Sequence, residues 1–306
     1  MGVMASSDAG DNESSEYILA IETTGAFASV ALAKPGAPGM MARVMAKVNG
    51  RDRFSHLQNL TPQIQQVLED TTEAEGRKFK GLKPLSINDV SLVAVSRGPG
   101  SFTGIRIGVS TARALAQALD IPCVGVSSLE ALAMRVCSGT RFPKDSRKNY
   151  SFTPSVPGIK TGWDITQDTL ICPILDARRS QIYGGGYFIK DGFPVSRIEA
   201  GPYTIDEFME LIRGYDKVCF LGDGIDSYGD KIVALRPEGT GFAPKEMRYQ
   251  DAGHIARLGY HMAKQGETTE FSQLKPEYMR LAEAERKLNA ERKLEEARKQ
   301  EAAQNG

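Results

Sequence analysis

YILAIETTGAFASVALAKPGAPGMMARVMAKV, residues 17–48, is the stretch from which the fold class can be read. Tyr17–Glu22, Phe27–Ala33 and Met41–Val48 are short apolar or alternating segments, separated by turn chemistry such as Lys34-Pro-Gly-Ala-Pro-Gly39. Three strands joined as a meander is the natural reading. Beyond them the apolar period lengthens. Ser55 suits an N-cap, and Leu57, Leu60, Ile64, Val67 and Leu68 recur at helical spacing. Pro62 either marks the true first turn, with Thr61 as cap, or kinks the helix. A polar stretch, Glu69–Lys83, precedes a strand at Ser91–Ser96, a Gly-rich loop and a helix to Leu119, a strand at Pro122–Val126 and a short helix at Ser128–Cys137.

The same order then begins again. Thr169–Asp176, Gln181–Ile189 and a weaker Val195–Ala200 read as strands, Ile205–Arg213 as a helix, and Val218–Gly222 as a strand. Ile225–Leu235 and Asp251–Gln265 read as helical. No sequence repeat accompanies this recurrence of elements. Two tandem β-β-β-α-β-α units predict a duplicated α/β architecture of the actin, Hsp70 and hexokinase type, the ASKHA class. The expected organisation is a disordered tail over 1–16, a first unit over 17–137, an exposed linker over 138–167, a second unit over 168–280 and a charged helical extension over 281–306. The tail is too polar to offset its ordering entropy. The linker is rich in Arg, Lys, Ser, Pro and Gly and has no periodicity. In the extension, Glu283–Lys287 and Glu295–Lys299 are i,i+4 pairs, but Leu288 and Leu294 stand six apart and sustain no heptad seam.

Composition narrows the function. The chain has 306 residues with 38 Lys plus Arg against 38 Asp plus Glu, so its formal net charge is zero. A protein that grips nucleic acid by itself normally shows a basic excess, because neutralised phosphates supply most of the affinity. A nucleic-acid role is therefore expected to be indirect or shared with a partner. No apolar run approaches the ~20 residues that span a bilayer, and the start carries no apolar signal core, which predicts a cytoplasmic protein without membrane contact. Cys123, Cys137, Cys172 and Cys219 are widely spaced with no CxxC, and read as buried small hydrophobes.

The sharpest local feature is Arg97-Gly-Pro-Gly-Ser-Phe-Thr-Gly-Ile-Arg-Ile-Gly108, between a strand and a helix. Gly98 and Gly100 allow a tight turn, Ser101 can cap the helix, and free N–H groups there could attract an anion, although such a loop taken alone is more often a structural turn than a ligand site. It is neither a Walker A loop nor GxGxxG, since Gly104 comes one residue late. Further along, Gly104, Gly108, Ala112 and Ala116 recur every four residues and form a ridge almost without side chains. Such a ridge suits either a second protein's helix or close packing on the chain's own sheet, and spacing alone leaves both open.

ILAIETT (18–24), HLQNLTPQI (56–64), GPGSFTGIRIG (98–108), PCVGVSSLEALA (122–133), DARRSQIYGGGY (176–187) and PEYMR (276–280) together resemble the bacterial TsaB/YeaZ family, in that family's order. The resemblance implies the ASKHA-type fold and a non-catalytic subunit in making N6-threonylcarbamoyladenosine at position 37 of tRNAs that read ANN codons. It implies pairing with a TsaD-like catalytic subunit, joined by a TsaE-like ATPase, with tRNA reached only through the complex and homodimers formed when alone. ATP would be used by the complex through its partners, and this chain would bind no cofactor by itself. The expected partner surface is His56, Leu57, Leu60 and Ile64 of one helix with the ridge Gly104, Gly108, Ala112 and Ala116.

Active ASKHA proteins clamp ATP phosphates between two hairpin turns that each carry an Asp and small residues. Here the first turn is Glu22-Thr-Thr-Gly25, with Glu where Asp is usual. The second, Asp176-Ala-Arg-Arg-Ser180, keeps Asp176 but puts two bulky arginines where Gly is wanted. Anion or nucleotide contact through Gly98, Gly100, Ser101, Asp176, Arg178 or Arg179 stays open, while hydrolysis is not expected. The alternative is an ASKHA-type ATPase or phosphotransferase in its own right. A zinc peptidase lacks ligands: His56 has Leu60 one turn on, and His254 and His261 stand seven apart. Neither a catalytic residue nor a metal site is expected.

Overall fold

Six consecutive buried residues, Tyr17–Glu22, form strand β1, and the period of two shows where they go. Tyr17, Leu19 and Ile21 enter one core while Ile18 and Ala20 enter another on the opposite face. A strand covered on both sides needs no polar alternation, which is why this segment reads as a continuous apolar run. In the computed structural model the described residues are 16–37, 39–50, 56–69, 73–74, 77–78, 85–137, 165, 168–236, 238–243 and 247–279. The expected tail, nearly all of the 138–167 stretch and the charged extension lie outside them.

β2 (Ser29–Lys34) and β3 (Arg43–Asn49) complete the meander on β1. After α1 (His56–Glu69) and a two-residue pairing of β4 (Glu73–Ala74) with β5 (Arg77–Lys78), β6 (Val90–Gly98) joins β1 in parallel. α2 (Phe102–Leu119) and β7 (Cys123–Ser127) follow, giving a first sheet of order β3-β2-β1-β6-β7. α1 runs through Pro62 rather than starting at it. Then come α3 (Ser128–Cys137), β8 (Leu170–Asp176), β9 (Gln181–Lys190), β10 (Phe193–Thr204) and α4 (Ile205–Leu211). β11 (Val218–Leu221), α5 (Gly224–Leu235), β12 (Thr240–Phe242) and α6 (Ala252–Lys264) end the series. The second sheet, β10-β9-β8-β11-β12, repeats the order of the first. β12 is three residues long, and so brief a strand leaves no periodicity to read in advance.

Chain order and packing diverge for two helices. α3 follows the first sheet, yet Leu129, Leu132 and Ala133 sit with Ile171, Leu175 and Tyr187 beneath the second. α6 follows the second sheet, yet Ala252, Ile255, Ala256 and Leu258 pack on Ile18, Ala20 and Val44 of the first. Each sheet thus has one face covered by a helix from the other half of the chain, while α1 with α2, and α4 with α5, cover the outer faces. Cys123, Cys172 and Cys219 are buried free thiols.

Asp251 ties this crossing together. Its Oδ1 accepts the Gly253 N–H at 2.8 Å, capping α6, and its Oδ2 meets Lys47 of β3 at 2.5 Å and Arg135 of α3 at 3.2 Å. Burial alone would raise the carboxyl, but the Lys47 ammonium, with His254 and Arg135, outweighs it and holds the group well below the usual carboxylate range. His254, buried one turn behind, has no hydrogen-bond partner on Nδ1 among the described residues. Burial pushes its imidazole down to about 3, more than the Asp251 charge restores.

Because His254 stays neutral in the fold and protonates near its ordinary ~6.5 when unfolded, acid favours the unfolded chain. Its contribution is complete above about pH 6.5 and is lost as pH falls toward the folded value, at about 1.4 kcal/mol per pH unit for one proton. Urea unfolding between pH 7 and 5 is expected to show stability falling with acid in the native chain, and a shallower fall in His254→Gln. Identical slopes would refute the assignment.

Candidate functional site

The Gly-rich loop and the first hairpin turn meet. Ser101 caps α2 by accepting the Gly104 N–H at 3.3 Å, and its own N–H donates to the Thr24 carbonyl at 2.8 Å. Gly100, at φ +156°, lies against Thr24, where a Cβ would stand 2.5 Å from the carbonyl oxygen. Gly98, at φ +126°, lies against the Glu277 carbonyl, and the Glu277 N–H donates to the Arg97 carbonyl at 2.8 Å. Both glycines are required by the close approach of the chain's own backbone.

Glu22 closes the first turn from inside. Its Oε1 accepts from the Thr24 N–H at 2.5 Å and the Thr24 hydroxyl at 2.6 Å, while Oε2 has no hydrogen-bond partner among the described residues. Burial pushes this carboxyl up against the bonds from Thr24 that pull it down. The remaining small residue, Gly25, faces the Gln250 carboxamide, with which a Cβ would collide. Gln250 is held nearby by an edge contact of Tyr249 on Phe27, ring centres 5.5 Å apart. Buried Arg248 anchors the same segment, donating to the Ala243 carbonyl at 2.9 Å and pairing with Asp226 at 3.3 Å. A phosphate group would find the Thr24 amide committed and the glycine covered.

The second turn has a different character. Asp176 Oδ1 accepts the Arg178 N–H at 2.8 Å, and the Asp176 N–H donates to Asp223 at 3.1 Å. Burial raises the Asp223 carboxyl, with Asp176 and Asp226 adding to the rise. Arg178, Arg179 and Ser180 all adopt positive φ, at 62°, 54° and 59°. Each such conformation costs an L-residue roughly 1–2 kcal/mol, so this hairpin carries strain that glycine would avoid. Arg178 and Arg179 are exposed to solvent. Neither turn thus presents the open, glycine-lined amides of the usual phosphate clamp: Glu22 and Gln250 fill the first, and the second carries Arg178 and Arg179. Among the described residues no three His, Cys, Asp or Glu side chains come together to hold a metal ion, and no helix is long and apolar enough to cross a membrane.

The ridge on α2 faces inward, which corrects the expectation that it docks a second protein. Gly104, Gly108, Ala112 and Ala116 are all buried. A Cβ on Gly104 would run into the Thr23 carbonyl, and one on Gly108 into the Thr23 hydroxyl. The inner face of a helix against its sheet needs small residues where the strand backbone comes close, and spacing cannot distinguish that need from a partner's. Leu60 and Ile64 are buried in the same core, at 2% and 8% exposure, so they too are no outward contacts. His56 and Leu57 open α1, with side chains outside the described residues.

Sequence reading missed Thr23, Thr24, Ser96 and Gln250 as partners of the turn, and Tyr278, which packs on Phe102 in a tilted pair with ring centres 4.7 Å apart. Only PEYMR signalled the last. Gln250 lies 225 positions from Gly25 with no pattern linking them.

Two sheets of one strand order, each unit opening on a hairpin turn after its first strand, define a protein of the duplicated ASKHA class. The family model of TsaD, tRNA N6-adenosine threonylcarbamoyltransferase, matches residues 53–145. The Bacillus subtilis tRNA threonylcarbamoyladenosine biosynthesis protein TsaB is 35% identical over 202 residues, 65% of this chain and 73% of that protein. The chain belongs to the TsaB family of tRNA threonylcarbamoyladenosine biosynthesis proteins. TsaB of Escherichia coli K12 is 25% identical over 275 residues, 89% of this chain and 97% of its own. A Pseudomonas aeruginosa structure described as similar to peptidase YeaZ shares the fold, with TM-score 0.62 and 22% identity, covering 87% of this chain and 100% of that one.

Proposed function

We propose that the chain is a non-catalytic subunit in the transfer of a threonylcarbamoyl group to N6 of adenosine 37 in ANN-decoding tRNAs. It acts by pairing with a TsaD-type catalytic subunit. The observation that carries this reading is the first turn, whose amide is taken by Glu22 and whose glycine is covered by Gln250. ATP is then used through a TsaE-type partner, tRNA is reached through the complex, and the work is done in the cytoplasm. The neutral overall charge supports shared rather than independent RNA binding.

With the ridge turned inward, pairing falls to the outward side of the same helix layer. Thr103, Ser110, Ala114 and Gln117 are exposed along α2, and Thr61, Pro62, Gln65 and Gln66 along α1. Thr103, Ser110, Ala114 and Gln117 lie at 0, 7, 11 and 14 positions from the first, within one stripe of the helix. The first three carry small side chains, which let another helix approach near the short end of the 8–10 Å range. Gln117 closes the stripe with a neutral carboxamide that can hydrogen-bond across such a contact. The same face would serve homodimers of the free chain.

Calorimetric titration against the TsaD-type partner tests this. Ser110→Arg is expected to weaken binding by roughly five- to 150-fold, the penalty of overpacking by about 1–3 kcal/mol, with an unchanged melting transition. The isolated chain should show background ATP turnover. Turnover abolished by Asp176→Asn would overturn the non-catalytic reading.

A further inference from the structure

We infer that the Glu22–Gly25 turn is a positioning socket for α2, so that a phosphate turn's geometry is used here to set the helix that carries the docking face. The inference rests on the reading above that the partner docks on the outward side of α2. It concerns residues buried beneath that face.

Three contacts join the turn to the helix. The Thr23 hydroxyl donates to the Gly104 carbonyl at 2.7 Å, and both groups are buried. That carbonyl belongs to the first turn of α2, so the bond fixes the axial position of the helix. The Ser101 N–H donates to the Thr24 carbonyl at 2.8 Å, fixing the entry of the chain into the helix. Gly100, Gly104 and Gly108 lie flush on Thr23 and Thr24, leaving no gap through which the helix could slide.

The socket is itself braced from behind. Glu22 Oε1 holds both the amide and the hydroxyl of Thr24, and the Ser96 hydroxyl of β6 donates to the Thr24 hydroxyl at 3.2 Å. Glu22, Thr23 and Ser96 are 0% exposed and Thr24 is 2% exposed. A buried, enclosed polar cluster set between α2 and its own strands has one mechanical output, the placement of α2. A longer acid at position 22 suits this task. Glu22 bends its carboxyl back onto Thr24 two residues on, and so consumes the amide that a phosphate would need.

If partner binding requires α2 seated in this position, loosening the socket lowers the fraction of binding-competent chains and raises the apparent Kd by the reciprocal of that fraction. Thr23→Val keeps the shape and removes the hydroxyl. It is expected to weaken affinity for the TsaD-type partner measurably, by at most about tenfold, the full worth of one hydrogen bond. Thr23→Ser, which restores the donor, should return affinity to within about twofold of the native chain, a recovery that lost packing alone would not produce. Hydrogen exchange at the amides of 104–108 should be faster in Thr23→Val than in Thr23→Ser. Should Thr23→Val not fold, Ser96→Ala at the back of the socket decides in the same way, with faster exchange in 104–108 and weaker binding expected. Native affinity in the folded socket variant, while Ser110→Arg loses binding, would overturn the positioning role and leave the docking reading standing. Native affinity in Ser110→Arg would remove the docking reading and this inference with it.

Discussion

Replacing Gly104 by valine is expected to cost the chain about 3 kcal/mol of its own stability, before any partner is considered. A Cβ at this position would collide with the backbone carbonyl of Thr23, the first residue after β1, which is buried and tied to α2 by its own hydroxyl. Overpacking against a flexible side chain typically costs about 1–3 kcal/mol, and a backbone obstacle puts Gly104→Val at the upper end. The helix-propensity gain from losing glycine, less than about 1 kcal/mol, offsets little of this. At about 2.1 cal/mol/K of unfolding entropy per residue, each kcal/mol lowers the Tm of a 306-residue chain by roughly 1.5–2 °C, so a fall of about 5–6 °C is expected by calorimetry. Ala114→Val, on the exposed side of the same helix, should leave Tm nearly unchanged. A stable Gly104→Val monomer would mean the ridge faces outward after all.

Asp251→Ala is expected to be comparably severe, at about 2–4 kcal/mol, because it removes the cap of α6 and the buried carboxylate that pairs with Arg135 and Lys47. The bond to Lys47, whose side chain is 36% exposed, adds little, since that ammonium can turn to water. Asp251→Asn separates the two effects. An amide oxygen can still cap the Gly253 N–H, worth about 1 kcal/mol, but cannot neutralise Arg135. Stability should therefore rank native, then Asp251→Asn, then Asp251→Ala in urea unfolding. Equal losses in the two variants would assign the whole effect to the charge.

Both outcomes turn on contacts that join distant parts of the chain, and this marks where sequence reading stops. Tyr17–Glu22, Ser29–Lys34 and the recurrent order of elements after Leu170 were legible because strand and helix periods are local properties. The Gly-rich loop was legible as a strand-to-helix turn for the same reason. What occupies it was not. Thr24, Glu277 and Gln250 approach Gly100, Gly98 and Gly25 from 76, 179 and 225 residues away, and no local rule reports that approach.

By itself, then, the amino-acid sequence determined two α/β units of the same element order, a TsaB-type set of motifs and a pair of hairpin turns that depart from the Asp-and-glycine pattern of active ASKHA proteins. Each follows from chemistry carried by neighbouring residues: apolar period, turn formers, and acids or arginines where glycine is wanted. Only the tertiary structure decided which way the ridge Gly104–Ala116 points, which sheet α3 and α6 cover, and what fills the first turn. A stripe of small residues is equally suited to a partner helix and to the chain's own strand. The choice is made by whichever surface the folded backbone brings within a few ångströms, and here that surface is Thr23.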